Sequence, residues 1–154
     1  MGYRSPYKID DRKIHFALVG CGRISERHFD AIRKHQDRCE LVAVCDSDPV
    51  VAAQHGEELK VEHFVSLETL LASSEADVVV LCTPSGLHPM QTVQVARAGR
   101  HVITEKPMAT RLADGKRMVA ECDNAGVRLF VVKQNRLNPN MFVCHKMTNS
   151  FKFL

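Results

Sequence analysis

Six short apolar runs divide this chain of 154 residues: KIHFALV (13–19), ELVAVCD (40–46), EHFV (62–65), DVVVLCT (77–83), HVIT (101–104) and RLFVV (128–132). No other feature restricts the fold as strongly. Most are rich in Val, Ile and Leu, and several are apolar at consecutive positions. A strand solvated on one face alternates; a strand covered on both faces need not. The segments between the runs read as helices. From Ile24 to His35, the residues Ile24, His28, Ala31, Ile32 and His35 share a face at helical spacing. Asp48-Pro49 reads as an N-cap followed by proline at the first helical position. Ser66 can cap LETLLAS, whose Glu68 suits a helix N-terminus. Leu87–Ala98 is closed by Gly99, and 111–125, capped by Thr110, is closed by Gly126. Strands and helices alternate throughout. That pattern predicts an α/β fold, a doubly wound parallel sheet of about six strands with helices on both faces and right-handed crossovers.

Composition narrows the function classes. Hydrophobic content is 45% and charged content 25%, ordinary for a globular domain. The net charge of +3 is unevenly spread: residues 1–13 carry +2 and residues 133–154 carry +4, leaving −3 between them. A mildly acidic body argues against a nucleic-acid-binding face. No apolar stretch approaches the ~20 residues of a membrane span. The start, MGYRSPYKIDDRK, lacks the apolar centre of a secretory signal. The six cysteines show no CxxC or CxxxH spacing, so no zinc site is expected. Cys45 and Cys82 lie in apolar runs, where a reduced thiol behaves as a small hydrophobe. A cytosolic setting is expected.

Between the first strand and first helix stands Gly20-Cys-Gly22-Arg-Ile-Ser25, the first two glycines of G-x-G-x-x-G with serine in third place. Gly20 permits a tight turn, Gly22 lets a pyrophosphate approach the backbone, and Ser25 is small enough for close helix packing. The helix N-terminus offers N–H groups to the phosphates. Such a loop alone is a weak signal. Here it opens a complete β-α-β unit, and Asp46 ends the second strand, 24 residues after Gly22. A carboxylate there accepts hydrogen bonds from the adenosine ribose and repels a 2′-phosphate. Ser47 and Asp48 supply no arginine, so NAD is favoured over NADP. The competing reading is a glycine turn that binds nothing.

Two further strand ends carry polar residues where open α/β sheets bind ligands. Thr83-Pro84-Ser85 follows the fourth strand, and His88 is expected one turn into the next helix. By composition alone, His88 is a surface or capping histidine. Glu105-Lys106-Pro107 follows the fifth. Lysine is usually a solvated surface residue, but a buried strand and a proline restrict this one. A cis Lys106–Pro107 bond would fix its direction; about one X–Pro bond in twenty is cis, so the sequence leaves this open.

ALVGCGRI, CTPSGLHP and GRHVITEKPMA together resemble the Gfo/Idh/MocA (glucose–fructose oxidoreductase) family, NAD(P)-dependent oxidoreductases acting mostly on sugars. The resemblance covers roughly 13–139, and the E-K-P element in context is its most specific part. It implies a Rossmann domain. Within the family, AGVRLFVVKQNRLNP and ARAGRHVITEKPMATR are similar to enzymes that oxidise C3 of UDP-N-acetyl-2-amino-2-deoxyglucuronate with NAD in bacterial surface-polysaccharide (lipopolysaccharide) synthesis. Some of these reoxidise NADH with 2-oxoglutarate. The resemblance implies Lys106 as the catalytic lysine beside the nicotinamide and the reacting hydroxyl. It implies Glu105 on the nicotinamide-side ribose. Arg23 and Ile24 join Gly20, Gly22 and Asp46 in the cofactor loop, while Thr83, Pro84, Ser85, His88 and Gln134 line the cofactor. Asn135 and Arg136 would face the nucleotide sugar, an arginine suiting a diphosphate or carboxylate; as a plain surface residue, Arg136 is simply solvated.

The expected organisation is an extension at 1–12, the dinucleotide-binding domain at 13–137 and an irregular tail at 138–154. Family members continue for roughly another α+β domain with a second catalytic group, most of the sugar site and the oligomer interface. A truncated or frameshifted reading is therefore expected, with NAD binding but no complete active site, and a homo-oligomer only in a longer form. A regulatory NAD-binding module is the competing function; it would need Gly20, Gly22 and Asp46 but not Glu105-Lys106-Pro107. A third reading, an interaction fragment with a disordered tail, predicts poor folding and no cofactor.

Overall fold

The computed structural model describes residues 12–133. The candidates Gln134, Asn135 and Arg136 and the 138–154 tail lie outside the described residues. In chain order the elements are β1 (Ile14–Val19), α1 (Ser25–Lys34), β2 (Cys39–Cys45), α2 (Pro49–Leu59), β3 (Glu62–Phe64), α3 (Leu67–Ser73), β4 (Val78–Leu81), α4 (His88–Arg97), β5 (His101–Thr104), α5 (Leu112–Asn124) and β6 (Leu129–Val131). The strands form one sheet in the order β3-β2-β1-β4-β5-β6, every pair parallel. The chain builds outward from β1 in one direction, then returns and builds from β4 in the other. The doubly wound sheet expected from the alternating runs is the sheet observed.

The consecutive apolar residues are explained by two cores. Side chains alternate across a strand, so each central run feeds both faces. Ala17 and Val19 of β1, Ala43 and Cys45 of β2, and Val79 and Leu81 of β4 join one cluster, with Leu70 of α3, Val95 of α4 and Cys122 of α5. The intervening Leu18, Val44 and Val80 join the other, with Phe29 of α1. Val51 and Leu59 of α2 pack against that second cluster. Each fully buried Val, Leu or Phe side chain among them, removed from water, contributes roughly 1.5–3 kcal/mol.

Local signals place most helix ends. The Asp48 side chain accepts from the N–H groups of Val50 and Val51, with Pro49 opening α2. Ser66 accepts from Thr69 N–H. Gly99 and Gly126 follow α4 and α5 with φ of 75° and 69°, and the next N–H in each case returns to a carbonyl of the last turn. Three expectations need correction. Thr110 is not the cap of α5; Arg111 occupies that position and makes no side-chain capping bond. His88 is the first residue of α4 rather than a turn inside it. The buried side of α1 is Ser25 and Phe29, with Ile32 half-buried, whereas Ala31 and His35 are exposed. The large ring of Phe29 outcompetes the smaller residues for the core, which turns the helix from the predicted face.

At the amino-terminal edge of the sheet, Asp77 precedes β4 and ties three neighbours together. Its carboxylate takes a two-pronged bond from Arg12, at 2.7 and 2.8 Å, and accepts from His15 N–H at 2.9 Å. Its backbone bonds to His15 and His101 at 2.9 Å each. Burial pushes the Asp77 carboxyl upward, but the bonds from Arg12 and His15 outweigh it and hold the group below its ordinary value. A carboxylate depressed in the folded state stabilises above its unfolded value and loses that contribution as the pH falls through the folded one. Thermal melts of wild type and Asp77→Asn across a pH series should therefore differ at pH 7, and the difference should shrink as the pH falls through the depressed folded-state value of Asp77.

Candidate functional site

Strand register assembles the site. Val19 of β1 stands opposite Cys45 of β2 and Leu81 of β4, and Leu81 stands opposite Thr104 of β5. Four adjacent strands thus end at one level. The residues that follow them, Gly20, Asp46, Cys82-Thr83 and Glu105, are brought together at the carboxyl edge. This edge flanks the β1/β4 boundary, where the winding direction reverses and open α/β sheets take their ligands.

Gly20 has φ 91° and donates its N–H to Cys45 O at 2.8 Å. A Cβ there would lie 2.9 Å from both Cys82 C and Thr83 N, so the loop passes directly over the backbone that leaves β4. Gly22 is different: a Cβ on it would meet nothing within 4 Å. It is exposed, Arg23 beside it is exposed and Ile24 is half-buried. Ser25 is fully buried and its hydroxyl donates to Gly22 O. Ile24, at the cap position of α1, makes no side-chain capping bond. The open surface over Gly22 thus adjoins a helix start without a side-chain cap, which suits a phosphate. The Asp46 carboxylate braces this loop, accepting from Cys21 N–H at 2.8 Å and from Asp48 N–H at 3.0 Å.

The loop and the strand ends beside it carry three buried or half-buried thiols. Burial, reinforced by the Asp46 carboxylate, pushes Cys21 up to about 12 and Cys45 up to about 11. Burial and Glu105 push Cys82 up to about 12. These thiols stay protonated at neutral pH and pack as small hydrophobes.

The segments after β4 and β5 are fastened to each other. Thr83 Oγ1 bonds Gln91 Oε1. The ring of His88, 1% exposed, lies between two carbonyls, with Nε2 2.8 Å from Thr83 O and Nδ1 3.0 Å from Pro107 O. It is neither a surface residue nor a helix cap. Pro84 is exposed and Ser85 half-buried. Glu105 is buried at 6% exposure, its N–H bonded to Leu81 O at 3.1 Å. Its carboxylate meets His28 Nε2 of α1 at 3.0 Å and accepts from Lys106 N–H at 3.2 Å. Lys106 is exposed, and its peptide bond to Pro107 is cis. The structure thus groups Gly20, Gly22, Asp46, Thr83, His88, Glu105 and Lys106 at one edge. Sequence reasoning missed Gln91 and the pairing of His28. His28 was placed on the inner face of α1, but a partner 77 residues away leaves no local signal.

The Gfo/Idh/MocA family, described as an oxidoreductase family with an NAD-binding Rossmann fold, matches residues 14–133. The chain belongs to this family. It is similar to the WlbA dehydrogenase of Bordetella pertussis, whose crystal structure holds NADH and UDP-GlcNAcA, with 55% identity and TM-score 0.87 over 90% of this chain and 42% of that one. The WlbA dehydrogenase of Chromobacterium violaceum, in complex with the same two molecules, is 51% identical with TM-score 0.88, over 92% of this chain and 41% of that one. D-apiose dehydrogenase of Paraburkholderia graminis is 36% identical over 80% of this chain and 33% of its own length. The chain therefore spans between a third and about two-fifths of these relatives.

The two glycines should separate on substitution. Gly20→Ala places a Cβ against backbone at positive φ and should cost about 2 kcal/mol or more in urea unfolding. Gly22→Ala should unfold like wild type, because its Cβ meets open space, while weakening dinucleotide binding in a fluorescence titration.

Proposed function

We propose that this chain supplies the dinucleotide-binding part, residues 13–137, of an oxidoreductase that uses NAD to oxidise a hydroxyl of a nucleotide sugar. The observation that carries the reading is the convergence of the glycine loop, Asp46 and Lys106 at one sheet edge through strand register. The open surface at Gly22 and the start of α1 without a side-chain cap fit a pyrophosphate. Asp46, already fixed by two backbone N–H groups, keeps lone pairs for ribose hydroxyls and disfavours a 2′-phosphate. When bound, NAD accepts the hydride leaving the carbinol carbon. Lys106 is an exposed cation at this edge; its ammonium would donate a hydrogen bond to the alkoxide oxygen that forms as the hydroxyl proton leaves, and relay that proton to solvent. Thr83, Pro84 and Ser85 would line the cofactor with Glu105 at its nicotinamide half, while His88, enclosed between Thr83 O and Pro107 O, holds that segment in place; the family resemblance alone assigns Gln134 to the nicotinamide and Asn135 and Arg136 to the sugar.

The substrate reading is a UDP-N-acetylglucosaminuronate oxidised at C3. Its support is the identity of 55% and 51% to two dehydrogenases crystallised with NADH and UDP-GlcNAcA. On that reading the product is a 3-keto nucleotide sugar, 2-oxoglutarate reoxidises the cofactor, and the reaction serves surface-polysaccharide synthesis in the cytoplasm. Among the described residues no helix is long and apolar enough to cross a membrane.

Two measurements test this. Titrated by intrinsic fluorescence of the dinucleotide, the purified chain should bind NADH at least about tenfold tighter than NADPH, and Asp46→Ala should narrow that gap. Absence of NADH binding overturns the cofactor reading. In a chimera carrying residues 12–133 in place of the matching segment of the Bordetella pertussis enzyme, UDP-GlcNAcA-dependent formation of NADH at 340 nm should persist. Lys106→Met in that chimera should lower kcat about a hundredfold or more while NADH binding stays; unchanged turnover removes Lys106 from catalysis.

A further inference from the structure

Glu105 and His28 form a pair that the proposed chemistry does not require. The pair joins α1, which begins at the glycine loop, to the segment that carries Lys106. Nε2 of His28 lies 3.0 Å from Oε1 of Glu105, with side-chain exposures of 17% and 8%. The other oxygen, Oε2, accepts from the N–H of Lys106 at 3.2 Å. One carboxylate therefore holds α1 with one oxygen and the backbone of Lys106 with the other. At its start α1 is fixed too: Ser25, fully buried, bonds Gly22 O through both its N–H and its hydroxyl. His28 stands three residues after Ser25, one turn along and on the same side of the helix. A continuous path of hydrogen bonds and one helical turn runs from Gly22 to Lys106.

Burial decides what this pair is for. A carboxylate this enclosed loses its hydration and needs partners, so removing one leaves the other uncompensated. Stability alone could be met by two apolar side chains of similar volume. A carboxylate that also grips the N–H of the next residue does something an apolar pair cannot: it fixes the backbone from which the lysine projects. We propose that His28 is a positioning residue, which through Glu105 sets the backbone of Lys106 relative to the glycine loop. The functional weight of that distance rests on the NAD reading above. The geometric claim does not.

The test uses the purified chain with His28→Gln, whose amide can still donate to Glu105, and His28→Leu, which cannot. Hydrogen–deuterium exchange read by mass spectrometry follows the peptides covering 103–110, and fluorescence titration follows NADH. In His28→Leu, exchange of that segment should quicken about tenfold or more, with the rest of the sheet unchanged. His28→Gln should restore wild-type protection, and NADH affinity should fall in His28→Leu and recover in His28→Gln. Unchanged exchange over 103–110 in His28→Leu, a rise spread evenly over the sheet, or no rescue by His28→Gln would overturn the proposal. If His28→Leu fails to fold, His28→Asn, too short to reach Oε1, takes its place under the same criteria. If wild type binds no NADH, the cofactor reading falls, and the exchange data still decide the role of His28.

Discussion

Parallel pairing in register is the constraint on which the rest of this molecule depends. Because Val19, Cys45, Leu81 and Thr104 lie side by side, four strands release their chains at the same height. Everything polar that follows them is delivered to one shelf. Side chains have period two along a strand, so a slip by one residue would exchange its two faces. Leu18, Val44 and Val80 would then leave the core they share with Phe29. Hydrophobic packing on both faces therefore holds the register, and the register holds the site.

The shelf is built of loops with few free degrees of freedom. Gly20 is pressed against β4, Asp46 binds the loop after β1 from the end of β2, and His88 spans the segments after β4 and β5. Glu105 reaches back to α1. Each of these contacts joins elements that are neighbours in space and separate along the chain. Polar groups that bond each other in this way are satisfied without water. Gly22 and Lys106 remain exposed between them. Pre-organisation of this kind places charged groups before a ligand arrives, so less ordering is left to binding.

Much of the scaffold was legible because its causes are local. A run apolar at successive positions means a strand covered twice, and Asp48-Pro49 and Ser66 announce helix starts through side-chain bonds within three residues. The errors arose where a local signal competed with the core. Thr110 has the chemistry of a cap, yet the chain enters α5 at Arg111. The inner face of α1 is set by where Phe29 fits rather than by counting apolar residues. The lining of the site was legible only in part. Gly20, Asp46 and Glu105 could be placed at strand ends from their position, but the partners of Glu105 and His88 could not.

By itself the sequence determined the alternation of elements, the parallel sheet and the residues that stand at each strand end, because these follow from periodicity and turn chemistry over a few neighbours. Family membership was legible in it too, through the glycine loop, TPSGLH and TEKP. Only the tertiary structure decided why Gly20 must lack a side chain, which oxygen of Glu105 meets His28, and what both nitrogens of His88 face. Answers of this kind depend on atoms brought within 3.0 Å between residues 77, 62 or 19 positions apart, as for His28–Glu105, His15–Asp77 and His88–Pro107. Contacts of that kind are set by sheet register and core packing, which no short window of sequence contains.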